Sequence, residues 1–264
     1  MPAADSARPS VPGILARPDG ATIAYYKTPG EETVKKAPGL IFLGGFMSDM
    51  SGTKATALEA FAAARGQAFL RFDYLGHGAS SGRFAEGTIG RWTEDAIAAL
   101  EALTEGPQVL IGSSMGGWIM LLVALARPER IAGLVGVAAA PDFTETLMWR
   151  RFPPEVRKTL ERDGVYTEPS DYGEAPCTIT LNLIEEGRRH LVMGKPIPIT
   201  CPVRLIHGTA DPDVPWKLSV ELMEALQSTD VEVTLIKGGG HRLSEPRDLV
   251  RLTRTVAALC DATG

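Results

Sequence analysis

The feature that most constrains this 264-residue chain is a Gly-x-Ser-x-Gly motif at residues 112–116. An apolar run, Val109-Leu110-Ile111, leads into the motif, and a helix-like run at residues 118–126 follows it directly. This context is typical of a nucleophile elbow, a strained strand-to-helix turn that exposes a serine hydroxyl at the carboxyl edge of a sheet. The glycines suit the turn because side chains there would collide across it. The pattern predicts Ser114 as a nucleophile.

The composition is that of an ordinary globular protein. Hydrophobic residues make up 44% and charged residues 22% of the sequence, and the length suits one α/β domain with an insertion or two small domains. The net charge of −5 gives no electrostatic basis for binding nucleic acid or an anionic membrane surface. We therefore expect neither nucleic acid nor an anionic membrane surface as a partner. The composition gives no indication of an oligomeric state.

The N-terminus and the cysteines bear on the cellular compartment. Residues 1–13 are rich in Ala, Pro and Ser and lack the apolar stretch of a secretory signal. No uncharged apolar run reaches the roughly 18 residues that a membrane span needs. Cys177, Cys201 and Cys260 are widely spaced and form neither a metal-ligand pattern nor a disulfide framework. We predict a flexible N-terminus over 1–13, buried free thiols, no membrane span and a cytoplasmic location.

Strands and helices alternate through most of the chain. Apolar and β-branched runs predict eight strands, at residues 14–17, 22–26, 40–43, 68–72, 109–112, 134–137, 203–206 and 231–236. Helical spacing predicts helices at residues 53–65, 92–103, 118–126, 217–226 and 246–259. The first two strands read as an antiparallel hairpin. The order predicts an α/β fold with a mostly parallel eight-stranded sheet, helices on both faces, and ligands beyond the carboxyl ends of the strands.

Residues 141–200 interrupt this alternation within the predicted domain, 14–264. The interval contains seven prolines with short helix-like pieces between them. Because structureless loops of this length are uncommon in compact domains, we interpret the interval as an inserted cap, the alternative being a long surface loop. Near its start, Phe143, Met148 and Trp149 belong to an apolar cluster. The sequence is equally compatible with two roles for this cluster. The residues line an acyl-binding pocket, or they pack onto the domain.

A serine nucleophile needs a base within hydrogen-bond reach and an acid that orients the base. In this kind of fold the acid precedes the base in the chain, and each follows a later strand. Asp211 is the preferred acid because Gly208 and a short loop return it to the edge of the sheet. Asp213 is a rival two residues on, although it is also well placed to cap the following helix.

His241 is the predicted base. It follows the last predicted strand and a run of three glycines, and it precedes the final helix. His77 precedes the serine and His190 lies in the predicted cap, so neither has the required position. His207 ends a strand, where packing or a local hydrogen bond is expected.

The negative oxygen of an acyl-transfer intermediate needs two backbone N–H donors. One is predicted to be the N–H of Met115, directly after the nucleophile. The other is predicted in the loop after the strand at 40–43, where Gly44 and Gly45 allow close backbone approach and Phe46 supplies the N–H. Chemistry of this kind requires no metal and no cofactor, and we predict none.

With these motifs in the required order, the chain resembles the α/β-hydrolase family. Residues 73–82, DYLGHGASSG, resemble a loop of that family that supports the site without carrying a catalytic group. Residues 45–55 together with 112–118 are similar to the α/β-hydrolase-domain protein 10 group, which includes mitochondrial acyl-protein thioesterases and bacterial relatives. The chain lacks an evident Arg-rich transit segment and looks like a bacterial relative.

This resemblance implies a catalytic triad of Ser114, Asp211 and His241. It also implies hydrolysis of S-palmitoyl thioesters on proteins or of carboxylic esters such as acyl glucuronides, so the expected partner is a small ester or an acylated protein. A carbon–carbon bond hydrolase or a peptidase on the same triad is the alternative. A non-catalytic binding module is the alternative from a different class, and such a module would be expected to lack a triad member.

Overall fold

The computed structural model describes residues 11–31, 37–169 and 176–264, so the predicted flexible N-terminus lies almost wholly outside the described residues. The strands are β1 (Gly13–Ala16), β2 (Thr22–Thr28), β3 (Gly39–Leu43), β4 (Phe69–Phe72), β5 (Gln108–Ser113), β6 (Ile131–Val137), β7 (Val165–Glu168), β8 (Cys177–Thr180), β9 (Val203–Gly208) and β10 (Val231–Ile236). The α-helices are α1 (Thr53–Ala64), α2 (Ile89–Leu103), α3 (Met115–Ala126), α4 (Pro154–Asp163), α5 (Leu181–Gly187), α6 (Lys217–Ala225) and α7 (Pro246–Thr263). Among the helices of this described part, none is both long and apolar enough to cross a membrane.

Eight strands form one sheet in the order β1-β2-β4-β3-β5-β6-β9-β10. β2 pairs antiparallel with β1 and with β4, and the other neighbouring strands pair in parallel. The predicted mostly parallel, eight-stranded sheet is therefore confirmed. Because the parallel strands run in one direction, the loops after β3, β5, β9 and β10 leave the sheet at the same edge.

Apolar layers cover both faces of the sheet. Neighbouring residues of β3 point to opposite faces, so Ile41 packs in the layer that contains α2 and α3, whereas Phe42 packs in the layer that contains α1 and α7. Every residue of β3 and β5 is buried, which explains the apolar runs at residues 40–43 and 109–111. In α3 nine of 12 residues are buried, so the helix behind the predicted elbow is held firmly.

Between β6 and β9 the chain leaves the sheet, and we refer to residues 141–200 as the insertion. It contains a π-helical turn at Thr144–Trp149, the helices α4 and α5, and an antiparallel pairing of β7 with β8. Its small core consists of Leu160, Ile179 and Ile184. The carboxylate of Asp142 accepts hydrogen bonds from the N–H groups of Val192 and Met193, at 2.9 Å each, and so ties the beginning of the insertion to its later part.

All three cysteines carry free thiols, as predicted. Cys260 is buried among apolar side chains of α7, whereas Cys177 and Cys201 are half-buried, so the predicted burial is wrong for these two. Burial raises the pKa of the Cys177 and Cys201 thiols to about 11, so both stay protonated at neutral pH. These side chains therefore lack the thiolate character of a nucleophilic cysteine.

Candidate active site

Ser114 occupies a sharp turn between β5 and α3. Its φ of 54° and ψ of −118° are rare for a residue with a side chain. Two glycines make room for the turn. A Cβ on Gly112 would lie 2.4 Å from the carbonyl oxygen of Gly116, and a Cβ on Gly116 would lie 2.1 Å from that of Leu43. The strand–turn–helix arrangement predicted from the motif is therefore present, and backbone crowding explains its glycines.

This crowding makes Gly116→Ala destabilising. The added methyl group meets the Leu43 carbonyl, which belongs to a central strand with little freedom to move. We expect a loss of about 1–3 kcal/mol or more in the free energy of unfolding, measured by urea denaturation. Gly240→Ala is the matched control, because a Cβ there meets nothing within 4 Å. Equal stability of the two variants would contradict this account of the turn.

The three predicted triad side chains meet at the carboxyl edge of the sheet. Nε2 of His241 lies 3.0 Å from Oγ of Ser114, and Nδ1 of His241 lies 2.8 Å from Oδ2 of Asp211. Ser114 follows β5, Asp211 follows β9 and His241 follows β10. These distances suit proton transfer from the hydroxyl to the imidazole while the carboxylate holds the ring.

The side chain of Asp211 is completely buried but well supplied with hydrogen-bond donors. Its Oδ1 accepts from the N–H groups of Asp213 and Val214, at 2.9 Å each, and its Oδ2 faces His241 and His207. Burial alone raises the pKa of this carboxyl. The hydrogen bonds from His207, His241 and Val214 outweigh that effect and hold the pKa well below its usual range. Asp211 is therefore a stable carboxylate.

Asp213 does not have the position predicted for it as a helix cap. The N-cap residue of α6 is Trp216, and no side chain caps that helix. Asp213 instead donates its own N–H to Asp211, because the short loop after β9 folds back around the Asp211 carboxylate. The geometry thus agrees with the choice of Asp211 over Asp213. The helix-capping role predicted for Asp213 was wrong.

The loop between β3 and α1 lies directly against the elbow. A Cβ on Gly45 would lie 3.5 Å from the Cβ of Ser114, and Phe46 is the next residue. Met115 begins α3, so its N–H has no acceptor within the helix. Both predicted N–H donors therefore belong to backbone that borders the serine.

Buried charged groups hold the far end of this loop in place. The N–H of Met50 donates to Oδ1 of Asp73 at 2.7 Å, and the carbonyl of Met50 accepts from Nη1 of Arg71 at 2.8 Å. A second guanidinium nitrogen of Arg71 lies 3.0 Å from the carboxylate of Glu59. A loop fixed at both the N–H and the carbonyl of one residue suits a site that needs backbone groups in a constant position.

A cavity of about 700 Å³ opens beside Ser114 and His241. The insertion supplies one apolar wall, which consists of Phe143, Leu147, Met148, Phe152 and Ile179, and other loops add further apolar residues such as Phe46 and Val214. Polar residues line it elsewhere, among them Ser48, Asp49, Lys54, Arg242 and Ser244. The prediction that Phe143 and Met148 line a pocket agrees with this cavity.

Trp149 is not part of the cavity wall, contrary to its predicted place beside Phe143 and Met148. Its ring lies 4.8 Å from the guanidinium carbon of Arg188 and 5.7 Å from that of Arg157. It also packs against the small core of the insertion. Trp149 ends the π-helical turn at Thr144–Trp149, whose successive side chains point in directions other than those of an α-helix.

Lys54 is a residue of the site that the sequence did not single out. Its Nζ donates to the carbonyl of Arg242 at 2.5 Å and to Oγ of Ser244 at 3.2 Å, which links α1 to the loop that carries His241. Burial lowers the pKa of Lys54 to about 8. The contacts span 188 and 190 residues of sequence, so no local pattern could have revealed them.

His77 is buried away from the reacting groups, in agreement with the structural role predicted for its loop. Its ring packs edge-to-face against Trp92 and Phe84, and its Nδ1 lies 3.2 Å from the carbonyl oxygen of Leu75. Burial lowers the pKa of His77 to about 4. The imidazole is therefore neutral in the folded protein at neutral pH.

His77 makes the stability of the fold dependent on pH. Between about pH 6.5, the ordinary histidine pKa, and about pH 4 the unfolded chain binds a proton that the folded protein does not. We expect acidification through this interval to remove up to about 3 kcal/mol of stability, and His77→Phe to remove that dependence. Urea denaturation between pH 7 and pH 4 measures it. If the stability of His77→Phe depended on pH as strongly as that of the wild type, groups other than His77 would be responsible for the dependence.

One group of potential metal ligands occurs among the described residues. Single donor atoms of Asp211, Asp213 and His241 lie within 4.8 Å of one another. However, both oxygens of Asp211 accept hydrogen bonds, and both ring nitrogens of His241 face hydrogen-bond partners. A metal ion would have to displace these bonds, so this donor set suits a hydrogen-bonded triad better than a metal centre.

Comparison with known proteins agrees with this geometry. The sequence profile of the alpha/beta hydrolase family matches residues 40–252. The mitochondrial palmitoyl-protein thioesterase ABHD10 of Bos taurus is 43% identical over 249 residues, which cover 94% of this chain and 79% of that protein.

Two solved structures extend the similarity. Alpha/beta hydrolase domain-containing protein 10 from mouse has a TM-score of 0.87 and 40% identity, covering 97% of this chain and 100% of that chain. A protein from Agrobacterium vitis S4 has a TM-score of 0.90 and 38% identity, covering 96% and 100%. The predicted resemblance to the domain-10 group is confirmed. On its sequence and its structure, this chain belongs to the alpha/beta hydrolase family.

Proposed function

We propose that the chain is a serine hydrolase that cleaves acyl thioesters and carboxylic esters, with long-chain acyl groups on proteins as the preferred substrate class. The observation that carries the proposal is the continuous hydrogen-bonded path from Ser114 through His241 to the Asp211 carboxylate. The relatives named as palmitoyl-protein thioesterases support the substrate class.

The reaction proceeds in two steps. Nε2 of His241 takes the hydroxyl proton as Oγ of Ser114 bonds to the acyl carbon, and the N–H groups of Met115 and Phe46 stabilise the negative oxygen. Collapse of this intermediate breaks the bond to the leaving thiolate or alkoxide, which receives the proton from His241. A water molecule then attacks the acyl-enzyme while His241 accepts its proton. The second collapse releases the carboxylic acid and returns the proton to Ser114.

The insertion acts as a cap that holds the acyl chain. Its apolar residues form one wall of the cavity next to the nucleophile, and the cavity volume lies in the range of small-molecule sites. Burial of each methylene of an acyl chain against such a wall contributes about 0.8 kcal/mol. Hydrolysis should therefore become more efficient as the acyl chain lengthens.

The test combines labelling with a substrate series. A fluorophosphonate probe should modify Ser114, as located by mass spectrometry of the digested protein. The value of kcat/KM for acyl-CoA thioesters and p-nitrophenyl esters should rise from acetyl towards palmitoyl, and the matched palmitoyl amide should be cleaved far more slowly. A chain that neither reacts with the probe nor cleaves either series would overturn the proposal.

Met148 offers a specific test of the apolar wall. Met148→Glu places a carboxylate where the acyl chain is proposed to lie, which penalises long chains through desolvation of the charge. We expect kcat/KM for palmitoyl substrates to fall about tenfold or more relative to acetyl substrates, equivalent to about 1.4 kcal/mol. Glu155→Gln, on the exposed face of α4, is the control. An unchanged chain-length preference would place the acyl chain elsewhere.

A further inference from the structure

A second histidine contacts the carboxylate of the proposed triad. Nε2 of His207 lies 3.1 Å from Oδ2 of Asp211, the same oxygen that Nδ1 of His241 approaches at 2.8 Å. Nδ1 of His207 in turn lies 2.7 Å from Oγ of Ser219. The hydrogen-bonded path therefore runs from Ser114 through His241, Asp211 and His207 to Ser219, with the carboxylate at its centre.

The surroundings of His207 define its tautomer. Nε2 faces two acceptors, Oδ2 of Asp211 and the carbonyl oxygen of Val214 at 3.0 Å, so this nitrogen carries the proton. Nδ1 is then an acceptor, and the hydroxyl of Ser219 donates to it. The side chain of His207 is 0% exposed and Ser219 is 1% exposed, so no water competes for these bonds. The second imidazole is thus hydrogen-bonded on both sides and fixed in one orientation.

From this arrangement we propose that His207 is a positioning residue for the Asp211 carboxylate, and that Ser219 holds His207 in the tautomer that donates to it. The inference rests on the triad proposed above. His207 does not touch the reacting atoms. It acts through Asp211, by fixing the direction in which Oδ2 faces His241 and by sharing the negative charge of that oxygen.

Removal of the His207 donor has two physical consequences. Oδ2 loses one of its two N–H donors, so the carboxylate is held less firmly and His241 is less well oriented towards Ser114. Oδ2 also keeps more of its negative charge, because His207 no longer donates a hydrogen bond to it. This charge favours the protonated form of the His241 imidazole. The first effect lowers kcat. The second effect moves the acidic limb of the pH–rate profile to higher pH.

Other charged groups near this carboxylate belong to the loop after β9 and to the insertion. Asp213 lies in the same loop. One of its carboxylate oxygens lies within 4.8 Å of a carboxylate oxygen of Asp211 and of a ring nitrogen of His241. Arg151 of the insertion donates to the carbonyl of Asp213 at 3.4 Å. All of these groups are present in both His207→Leu and His207→Gln, so a difference between the pH profiles of these two variants reports on the N–H donor.

The experiment compares three variants. His207→Leu removes both nitrogens, whereas His207→Gln keeps an N–H donor near the position of Nε2. Ser219→Ala leaves the ring and removes only the hydroxyl that fixes its tautomer. A histidine–carboxylate pair outside the site, His190 with Glu186 at 2.5 Å, provides the control variant His190→Leu. Reactive sites are counted by titration with a fluorophosphonate, so each kcat is expressed per competent molecule.

We expect His207→Leu to lower kcat by about 10–100-fold with little change in KM, the range found when a group that hydrogen-bonds to a metal-ligating side chain and orients it is removed. Its acidic limb should move to higher pH, and His207→Gln should restore most of both properties. Ser219→Ala should show smaller changes in the same directions, and it serves as the test if His207→Leu does not fold. His190→Leu should match the wild type.

Wild-type kcat per titrated site and an unmoved acidic limb in His207→Leu would overturn the inference. Equal impairment of His207→Gln and His207→Leu would overturn it too, because ring shape rather than the donor would then matter. These outcomes are distinct from failure of the proposed function, in which the wild-type protein itself would not react with the fluorophosphonate.

Discussion

Ser114→Ala is expected to lower kcat for a p-nitrophenyl ester by a factor of about 10⁴ or more. Alanine has no oxygen to bond to the acyl carbon, so His241 has no proton to remove and no acyl-enzyme forms. The proposed backbone donors at Met115 and Phe46 remain, so residual catalysis over water is still expected. Steady-state assay and intact-protein mass spectrometry after substrate addition provide the two measurements.

The fold should survive this substitution. Alanine keeps the Cβ of Ser114 and therefore the same crowded backbone, so the midpoint of thermal unfolding should stay close to that of the wild type. Ser114→Gly removes the Cβ and should relieve about 1–3 kcal/mol of conformational strain while being equally inactive. Substantial activity in either variant would mean that another residue is the nucleophile.

Asp211→Asn is expected to lower kcat by a factor of about 10³–10⁴. Oδ1 and Oδ2 both accept hydrogen bonds in the wild type, and an amide cannot accept at both positions. Its NH₂ group must face either the backbone donors or the two imidazoles. If it faces His241, the tautomer with the proton on Nε2 is favoured, and that nitrogen can no longer take the proton of Ser114.

The same variant should change how stability depends on pH. The folded-state pKa of Asp211 is held below the ordinary aspartate value of about 3.9, so its carboxylate stabilises the fold above that pH. This contribution is lost as the pH falls through the folded-state pKa. Asp211→Asn should therefore be less stable than the wild type at pH 6, by urea denaturation, with a gap that narrows below about pH 4. A gap that stays constant down to pH 2 would contradict the linkage.

The sheet and the reacting side chains were predictable because their signals are local. The apolar runs of β3 and β5, the glycines on both sides of Ser114 and the glycine-containing loops that carry Asp211 and His241 each reflect a constraint within a short segment. Residues that act across the fold were not predictable in this way. Lys54 contacts a loop about 190 residues away, and the position of Trp149 depends on a π-helical turn without a sequence signature.

The role of His207 lies between these two cases. A local hydrogen bond was expected from its position at the end of β9, and the structure contains one. The four-residue spacing to Asp211 was the available signal, since a short loop after a strand can return to the preceding side chain. What the spacing did not reveal is that two imidazoles share one carboxylate oxygen, which depends on where β10 places His241.

The reacting groups and the apolar wall that the insertion supplies come from different stretches of the chain. The apolar wall comes from a single uninterrupted stretch of chain with a small core of its own, whereas Ser114, Asp211 and His241 come from other loops. Exchange of the stretch between β6 and β9 for that of a relative should therefore transfer acyl-chain preference and leave the acyl-transfer groups unchanged. A family built in this way can diversify its substrates through one inserted segment while its reaction stays constant.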